Sequence, residues 1–115
     1  MSEAFPLLKT RSRPRERRPR RLLCKAILEH VGAQPCLVPG CRGKAEVHHR
    51  KGAGTTAAAG RRSGDDETVP LCADHHAGKH GVHALGEARF EETYGVDLAA
   101  AARRLAAEAR AGEMP

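Results

Sequence analysis

Two pairs of metal-ligand residues with short internal spacing constrain this chain more than any other feature of its sequence. Cys36 and Cys41 are separated by four residues that include a Pro-Gly turn, and Cys72 and His75 are separated by two. Structural Zn(II) takes four soft or borderline ligands in a tetrahedron, and two short pairs on tight turns supply them. The spacing therefore predicts a structural zinc site, with disulfides or free thiols as the alternatives.

The apolar composition leaves little material for a large core. Among 115 residues there is no Trp, with only two Phe and one Tyr, and alanine makes up much of the 40% apolar share. A domain of this size with few large side chains needs a metal, a disulfide or a partner for stability. We therefore expect one small domain that is stabilised at the two ligand pairs.

The N-terminal sequence and the hydropathy pattern predict the compartment. The first residues, MSEAFPLLKTR, contain neither the apolar segment nor the cleavage site of a secretory signal. We expect a cytoplasmic protein in a reducing environment, which favours thiols over disulfides. No apolar run approaches the roughly 18 residues of a membrane span, so no membrane partner is expected.

Positive charge is concentrated at the N-terminus. Residues 1–35 hold nine Lys or Arg against three acids, a net charge of +6, whereas residues 36–115 hold eleven of each sign. Pro14 and Pro19 prevent a continuous helix in RSRPRERRPRR, which keeps its guanidinium groups extended and solvated. Such an arm suits phosphate binding, and a solubilising tail without a specific partner is the alternative. The candidate DNA-binding residues are Arg11, Arg13, Arg15, Arg17, Arg18, Arg20 and Arg21.

The apolar periodicity predicts a short amphipathic helix after this arm. Leu23, Ile27 and Val31 form its apolar stripe, and the helix runs from Arg20 to about Val31, where Gly32 ends it. The segments KAEVHHR and TVPLC then indicate two strands.

The remaining segments predict a loop and further helices. A Gly- and Ala-rich segment from about 51 to 66 separates the strands and is expected to be an exposed loop. A helix capped by Asp74 runs through His80 and ends at Gly81. Asp97 is the candidate N-cap of an alanine-rich helix near the C-terminus. The apolar stripe of that helix comprises Leu98, Ala102, Leu105 and Ala109.

Four histidines outside the zinc ligands form a second pattern. Consecutive residues on a strand point to opposite faces, so His48 and His49 have different roles unless the strand ends or bulges there. His76 and His80 are spaced i, i+4 on the predicted helix, and two imidazoles on one face can share a second metal ion. An ordinary surface position is the alternative for any one of them. Cys24 is predicted to be a small buried hydrophobe on the first helix and is left out of the site.

The order of these motifs resembles a known family of nucleases. A cysteine pair, "HH", a Gly-rich loop and "LCxxHHxxxH" together are similar to the HNH endonucleases, whose ββα-metal core holds one catalytic divalent ion against DNA. The "HH" pair and the helical HxxxH are similar to the colicin-type branch, and the zinc knuckle resembles phage and mobile-element members. The tail HGVHALGEARFEETYGVDL resembles a phage group related to the Ref recombination-enhancement nuclease. The resemblance covers residues 36 to about 98.

The resemblance implies an α+β fold with a small zinc-stapled ββα-metal core, also called the HNH or His-Me finger, and flanking helices. Together with the charge and apolar patterns, it predicts a division of the chain. The parts are a basic arm over residues 1–21 that is expected to be flexible, a helix over 22–35, the zinc knuckle and nuclease core over 36–83, and C-terminal helices over 84–115.

Roles for single residues follow from the resemblance. His49 would be the general base that takes a proton from water, His48 and His76 would ligate the catalytic metal, and His80 would be a further ligand or a phosphate contact. The implied products carry a 5′-phosphate and a 3′-hydroxyl. The implied cofactors are a structural zinc and a catalytic divalent ion, Mg, Mn, Ni or Zn, and imidazole ligation favours the borderline metals over Mg.

One position departs from the family pattern. The central Asn that orients the base histidine has no counterpart, because the chain contains no Asn. The corresponding segment, SGDDETVPLC, offers Asp65, Asp66, Glu67 and Thr68. A carboxylate that accepts from one imidazole nitrogen would fix the tautomer of His49, and Asp65 is slightly favoured. Three interpretations of His83 remain: a metal ligand, a phosphate contact or a residue unrelated to the site.

The leading hypothesis from the sequence is a metal-dependent DNA endonuclease of low sequence specificity, phage or prophage encoded, with DNA as its partner. A non-catalytic zinc module that binds DNA or a recombination protein is the alternative, supported by the missing Asn. A zinc hydrolase that acts on a small substrate is a third hypothesis, but it does not explain the basic arm. The sequence does not determine the oligomeric state.

Overall fold

A two-stranded sheet and five helices make up the part of the chain that the structure describes. The computed structural model describes residues 22–52, 54–57 and 62–113. The elements are α1 (Lys25–Gly32), β1 (Ala45–His49), β2 (Thr68–Cys72), α2 (Ala73–Ala77), α3 (Val82–Leu85), α4 (Glu87–Tyr94) and α5 (Leu98–Glu113). A 3-10 turn, Asp65–Glu67, precedes β2. The fold is therefore α+β, as the sequence predicted, and no helix among these residues has the length and hydropathy needed to cross a membrane.

The two strands are antiparallel neighbours. They pair from Ala45 opposite Cys72 to His49 opposite Thr68. Both lie at the segments that the sequence predicted as strands. Every residue of β2 is buried, whereas β1 alternates and buries His48. The sheet therefore brings the His48–His49 end of β1 beside the start of β2, and the Cys72 end of β2 leads directly into α2.

The apolar core forms two clusters that α5 spans. In one cluster, Ile27 and Val31 of α1 pack with Leu105 of α5. In the other, Val69 and Leu71 of β2 pack with residues of the C-terminal helices. The four predicted stripe residues of α5, Leu98, Ala102, Leu105 and Ala109, are all buried. The C-terminal helix thus packs against β2, while His49 of β1 and the histidines of α2 stay partly exposed and His48 is buried.

Capping hydrogen bonds define the start of α5. Asp97 Oδ1 accepts a hydrogen bond from Ala100 N at 3.0 Å, which confirms the predicted N-cap. Glu91 Oε2 accepts another from Leu98 N at 2.7 Å. The preceding helix ends at Gly95, whose φ of 69° is a left-handed conformation that glycine adopts without strain.

Helix α1 begins at Lys25, later than the sequence predicted. Leu22 O accepts a hydrogen bond from Asp65 N at 2.8 Å, and Cys24 N donates to Asp65 Oδ2 at 2.8 Å. These contacts hold the segment in an extended conformation, because its backbone groups pair with Asp65 instead of with a helix. Leu23 is consequently 71% exposed rather than part of the apolar stripe. Cys24 is the N-cap residue, and it is half-buried against the core cluster of α1 and α5 rather than fully buried on the helix.

Helix α2 ends at Ala77, and the prediction that it continues through His80 is wrong. Gly78 N donates to Asp74 O at 3.0 Å and Gly81 N to Gly78 O at 3.0 Å, so the chain folds back over the last turn. A Cβ at Gly78 would collide with Asp74 O, and one at Gly81 would lie 2.8 Å from the same atom. The two glycines therefore allow a reversal that directs α3 back beside α2.

The loop between the strands is not exposed throughout, contrary to the prediction. Ser63, Gly64 and Asp65 are buried at its end. Glu67 fastens the loop, since its carboxylate accepts hydrogen bonds from Thr56 N, Thr56 Oγ1 and Gly64 N. Burial alone would raise the pKa of Glu67, but these hydrogen bonds lower it below its usual value.

Candidate functional site

Three cysteines and one histidine converge next to β2. Cys36 Sγ lies 3.4 Å from His75 Nδ1, Cys72 Sγ lies 3.2 Å from the same nitrogen, and Cys41 Sγ lies 3.7 Å from Cys72 Sγ. Zinc bonds of about 2.3 Å to sulfur and about 2.0–2.1 Å to nitrogen separate tetrahedral ligands by roughly 3.5–3.8 Å. The four cysteine thiols, including Cys24, are free. The predicted set is therefore compatible with a structural metal such as zinc.

Tight turns hold these ligands in place. Cys41 follows Gly40, whose φ of 81° completes the turn between the first two cysteines. A Cβ at Gly43 would lie 2.7 Å from Cys72 Cβ, so only glycine allows this loop to approach the end of β2. His75 then enters from α2. Each ligand pair is local in sequence, and for this reason its spacing was informative.

The thiols of the cluster are electrostatically unequal. Burial raises the pKa of Cys36 to about 11. A hydrogen bond from Gly43 N instead lowers the pKa of Cys41.

A second cluster contains imidazoles alone. One ring nitrogen from each of His48, His76 and His83 lies within 4.8 Å of the others. His76 Nε2 and His83 Nε2 are 3.0 Å apart, and the ring centroid of His48 is 5.1 Å from those of both. The three residues come from β1, α2 and α3. Such a group can hold a divalent ion and leave other coordination positions open.

The imidazole cluster lies in a cleft of about 410 Å³. The cleft is lined by Leu28, Val47, His48, His49, Lys51, Arg62, His76 and His83. His49 therefore shares the cleft with the three clustered histidines although it follows His48 directly, because β1 ends at this residue.

Asp65 holds the ring of His49. Asp65 Oδ1 lies 3.0 Å from His49 Nε2, and Asp65 is 4% exposed. This is the contact that the sequence analysis favoured among four candidates. A carboxylate accepts from the protonated nitrogen, which leaves His49 Nδ1 with a free lone pair. The second oxygen accepts from Cys24 N, so the carboxylate is fixed from both sides.

The structure does not bring His80 together with His48 and His76. His80 lies in the exposed turn beyond α2, where its backbone oxygen accepts a hydrogen bond from Tyr94 Oη at 2.9 Å. His83 lies in the cluster instead, because the reversal after α2 returns the chain over His76. Partial burial and the neighbouring imidazoles lower the pKa of His83, which favours the neutral form that binds metals.

Two carboxylates that the sequence analysis missed contact the clustered imidazoles. Glu46 Oε1 lies 2.8 Å from His76 Nδ1, and Glu87 Oε2 lies 3.3 Å from His48 Nε2. A carboxylate on one ring nitrogen fixes the tautomer and makes the other nitrogen a better ligand. The alternation of β1 could have suggested Glu46 as a neighbour of the cluster. Glu87 is 39 residues from His48, and no local pattern indicates it.

Glu87 also fastens the loop after β1. Its carboxylate accepts from Lys51 N at 2.7 Å and Gly52 N at 3.2 Å, and Arg50 Nη2 lies 3.3 Å away. Burial alone would raise the pKa of Glu87, but the contacts with His48, Lys51 and Arg50 lower it to about 2. The residue is therefore a permanent anion at neutral pH.

The predicted DNA-binding arginines between Arg11 and Arg21 lie outside the described residues. The arm therefore remains a sequence-based expectation, whereas Arg62 and Lys51 are the cations that line the described cleft.

The comparison with protein families gives one match. DUF968, whose description is "protein of unknown function", matches residues 11–112. The match covers most of the chain, and the chain therefore belongs to the DUF968 family. Searches of curated proteins and of solved structures give no match. Roles for the clustered residues must accordingly be inferred from their geometry.

Proposed function

We propose that this member of the DUF968 family is a metal-dependent endonuclease that hydrolyses DNA phosphodiester bonds, with the ββα-metal organisation of HNH enzymes. The observation that carries the proposal is the shared cleft. The three convergent imidazoles and the separately held His49 open onto the same space. An ion site and a base beside it are what hydrolysis of a phosphodiester requires.

The order of the elements supports this organisation. Strand β1, the antiparallel strand β2 and helix α2 follow one another, and the candidate ligands come from β1 and α2. The Cys-His cluster joins the loop before β1 to the junction of β2 and α2. In the proposal, the first cluster stabilises the scaffold and the second performs the chemistry.

The second cluster would hold a divalent ion through His48, His76 and His83. Such an ion, when bound, supplies positive charge that stabilises the scissile phosphate and the leaving oxygen. Imidazole ligands favour Mn, Ni or Zn over Mg. Glu46 and Glu87 orient two of the three rings through hydrogen bonds.

His49 is the proposed general base. Because Asp65 accepts from Nε2, Nδ1 is available to accept a proton from the attacking water. Asp65 also stabilises the imidazolium that results, since a carboxylate at 3.0 Å favours the charged ring. The aspartate thus takes the orienting role that the central Asn has in HNH enzymes, and its negative charge attracts the imidazolium more strongly than a neutral amide does.

Plasmid nicking in the presence of Mg, Mn, Ni or Zn tests the proposal. We expect cleavage in at least one metal, its loss in His49→Ala by about two orders of magnitude or more, and unchanged DNA affinity. His80→Ala is the matched control, because it removes an imidazole outside the cleft and should retain cleavage.

Two outcomes would contradict different parts of the proposal. One is DNA binding without cleavage in every metal, which would instead favour a non-catalytic zinc module. The other is equal cleavage by wild type and His49→Ala, which would exclude His49 as the base.

A further inference from the structure

We propose that Lys51 and Arg62 form a binding subsite for the phosphodiester backbone of DNA on the walls of the histidine cleft. The identity of the ligand rests on the proposed function. Both side chains line the cleft that holds His48, His49, His76 and His83, and neither belongs to the predicted N-terminal arm. Two cations beside the imidazoles would place phosphate groups at the reacting centre.

The charges that line this cleft have one sign. Its charged lining residues are Lys51 and Arg62, and no carboxylate lines it among the described residues. Lys51 is exposed, and Arg62 is exposed as well. In the described part of the chain, neither side chain forms an ion pair, so both cations are available to an external anion. A concave surface lined by cations alone attracts a polyanion.

The neighbouring cleft gives an internal comparison. It has a volume of about 470 Å³ and is lined by Arg50, Lys51, Gly52, Glu87, Ala88 and Glu91. There, two carboxylates offset the two cations, and Arg50 already lies 3.3 Å from Glu87. Only the histidine cleft of these two is lined by cations without a carboxylate, because Glu46, Asp65 and Glu87 contact its imidazoles but do not line it. This difference in lining locates the phosphate subsite.

The fold positions the two cations independently of their own side chains. Glu87 fixes the backbone of the loop that bears Lys51, since it accepts from Lys51 N at 2.7 Å. Glu67 fastens the other loop next to Arg62, through Gly64 N at 3.0 Å. The side chains remain free to reach a ligand while their backbones are held, which reduces the entropy lost on binding.

The test measures binding of a DNA duplex by fluorescence anisotropy over a series of salt concentrations, without added divalent ions. The full-length double variant Lys51→Gln/Arg62→Gln is compared with Lys44→Gln/Arg103→Gln, which removes the same charge at exposed positions outside both clefts. We expect the first double variant to raise Kd on the order of tenfold and to lower the slope of log K against log salt by about 2. The control should change the slope by much less.

A charge-retaining double variant and acetylation footprinting of the wild type test the same two side chains independently. Lys51→Arg/Arg62→Lys should retain most of the salt slope. On the wild type, DNA should protect Lys51 from an amine-acetylating reagent while Lys44 stays reactive, which tests the subsite even where a variant fails to fold. Equal slopes in the two Gln double variants, or equal acetylation of Lys51 with and without DNA, would overturn the proposal.

Further outcomes separate this inference from the nuclease proposal. Loss of binding specific to the first double variant, in a protein that cleaves nothing, would retain the subsite and refute the nuclease. Cleavage of DNA by the wild type, together with equal salt slopes in the two Gln double variants, would retain the nuclease and refute the subsite. Protection of Lys51 by inorganic phosphate as strong as that by DNA, at equal concentration of phosphate groups, would assign the subsite to a small anion and overturn the proposal.

Discussion

The two ligand clusters of this molecule differ in chemistry and in enclosure. The first has three sulfurs and one nitrogen, and the His75 ring packs against the rings of Phe90 and Tyr94. The second has three nitrogens and opens onto the histidine cleft. Closed sets of four ligands are typical of structural metals, and sets of three with an open position are typical of catalytic ones. In the proposed function, the first cluster therefore stabilises the fold and the second performs the chemistry.

The clusters also differ in how their ligands are oriented. Turns that need Gly40 and Gly43 hold the first cluster, whereas carboxylates hold the second. Glu46 and Glu87 contact two of its rings from elements outside α2 and α3. A cluster that is held by side-chain hydrogen bonds can be altered without unfolding the chain, whereas loss of the first cluster should unfold it.

The largest expected effect is loss of the first cluster. In Cys72→Ser we expect loss of the tightly held metal and of most cooperative unfolding, because a structural zinc supplies on the order of 10 kcal/mol of folding free energy in small domains. Thermal unfolding and metal content of the purified chain measure this. Cys24→Ser is the matched control and should keep both properties. An unchanged melting temperature for Cys72→Ser would show that the first cluster does not stabilise the fold.

The next effect concerns the second cluster. His83→Ala should weaken binding of the exchangeable ion by more than about 100-fold, because it removes a ligand itself, whereas loss of a residue that orients a ligand costs about 10- to 100-fold. The four residues of the first cluster stay intact. His80→Ala, three residues away, should leave the affinity unchanged. Titration with Ni(II) or Co(II), followed by absorption or calorimetry, compares the two. A larger loss of ion affinity in His80→Ala than in His83→Ala would instead support the predicted His76–His80 pair, and it would contradict the chain reversal after α2.

A smaller effect is expected from the carboxylate that contacts His48. Glu87→Gln should lower the affinity of the exchangeable ion by about 10- to 100-fold, since a neutral amide supports the imidazole ligand less well. Glu92→Gln, an exposed neighbour on α4, is the control. Zinc content should remain unchanged in both variants. Equal ion affinities in the two variants would show that Glu87 does not orient His48 for metal binding.

The smallest effect is a pH dependence of stability at the loop that precedes β2. The pKa of Glu67 is lowered in the folded chain, so its ionised form contributes stability above its ordinary pKa of about 4.5, and this is lost as pH falls through the folded pKa. Glu67→Gln should therefore lower the melting temperature by a few degrees at pH 7 and by less at pH 3.5. A difference that grows at low pH would have the wrong sign.

The sequence predicted what depends on local spacing. The Cys36 and Cys72 pairs, both strands and the Asp97 cap were visible because turns and caps are set by residues within a few positions of each other. The contact between Asp65 and His49 was slightly favoured because Asp65 lies in the segment that corresponds, in the resemblance to HNH enzymes, to the one with the central Asn.

What the sequence did not predict depends on tertiary contacts. The spacing of His76 and His80 indicated a shared face only if α2 continued, but Gly78 and Gly81 pack against its last turn and end it. His83 joins the cluster for this reason alone. Helix α1 likewise starts late because Asp65, distant in sequence, binds the backbone of the preceding segment.

Native mass spectrometry of the full chain, before and after addition of Ni(II) or Mn(II), tests most directly whether the two clusters hold metals of different kinds. We predict one zinc that survives dialysis and a second, reversibly bound ion that His76→Ala loses while it keeps the zinc. The same number of reversibly bound ions in wild type and His76→Ala would contradict the imidazole site, and with it the proposed chemistry.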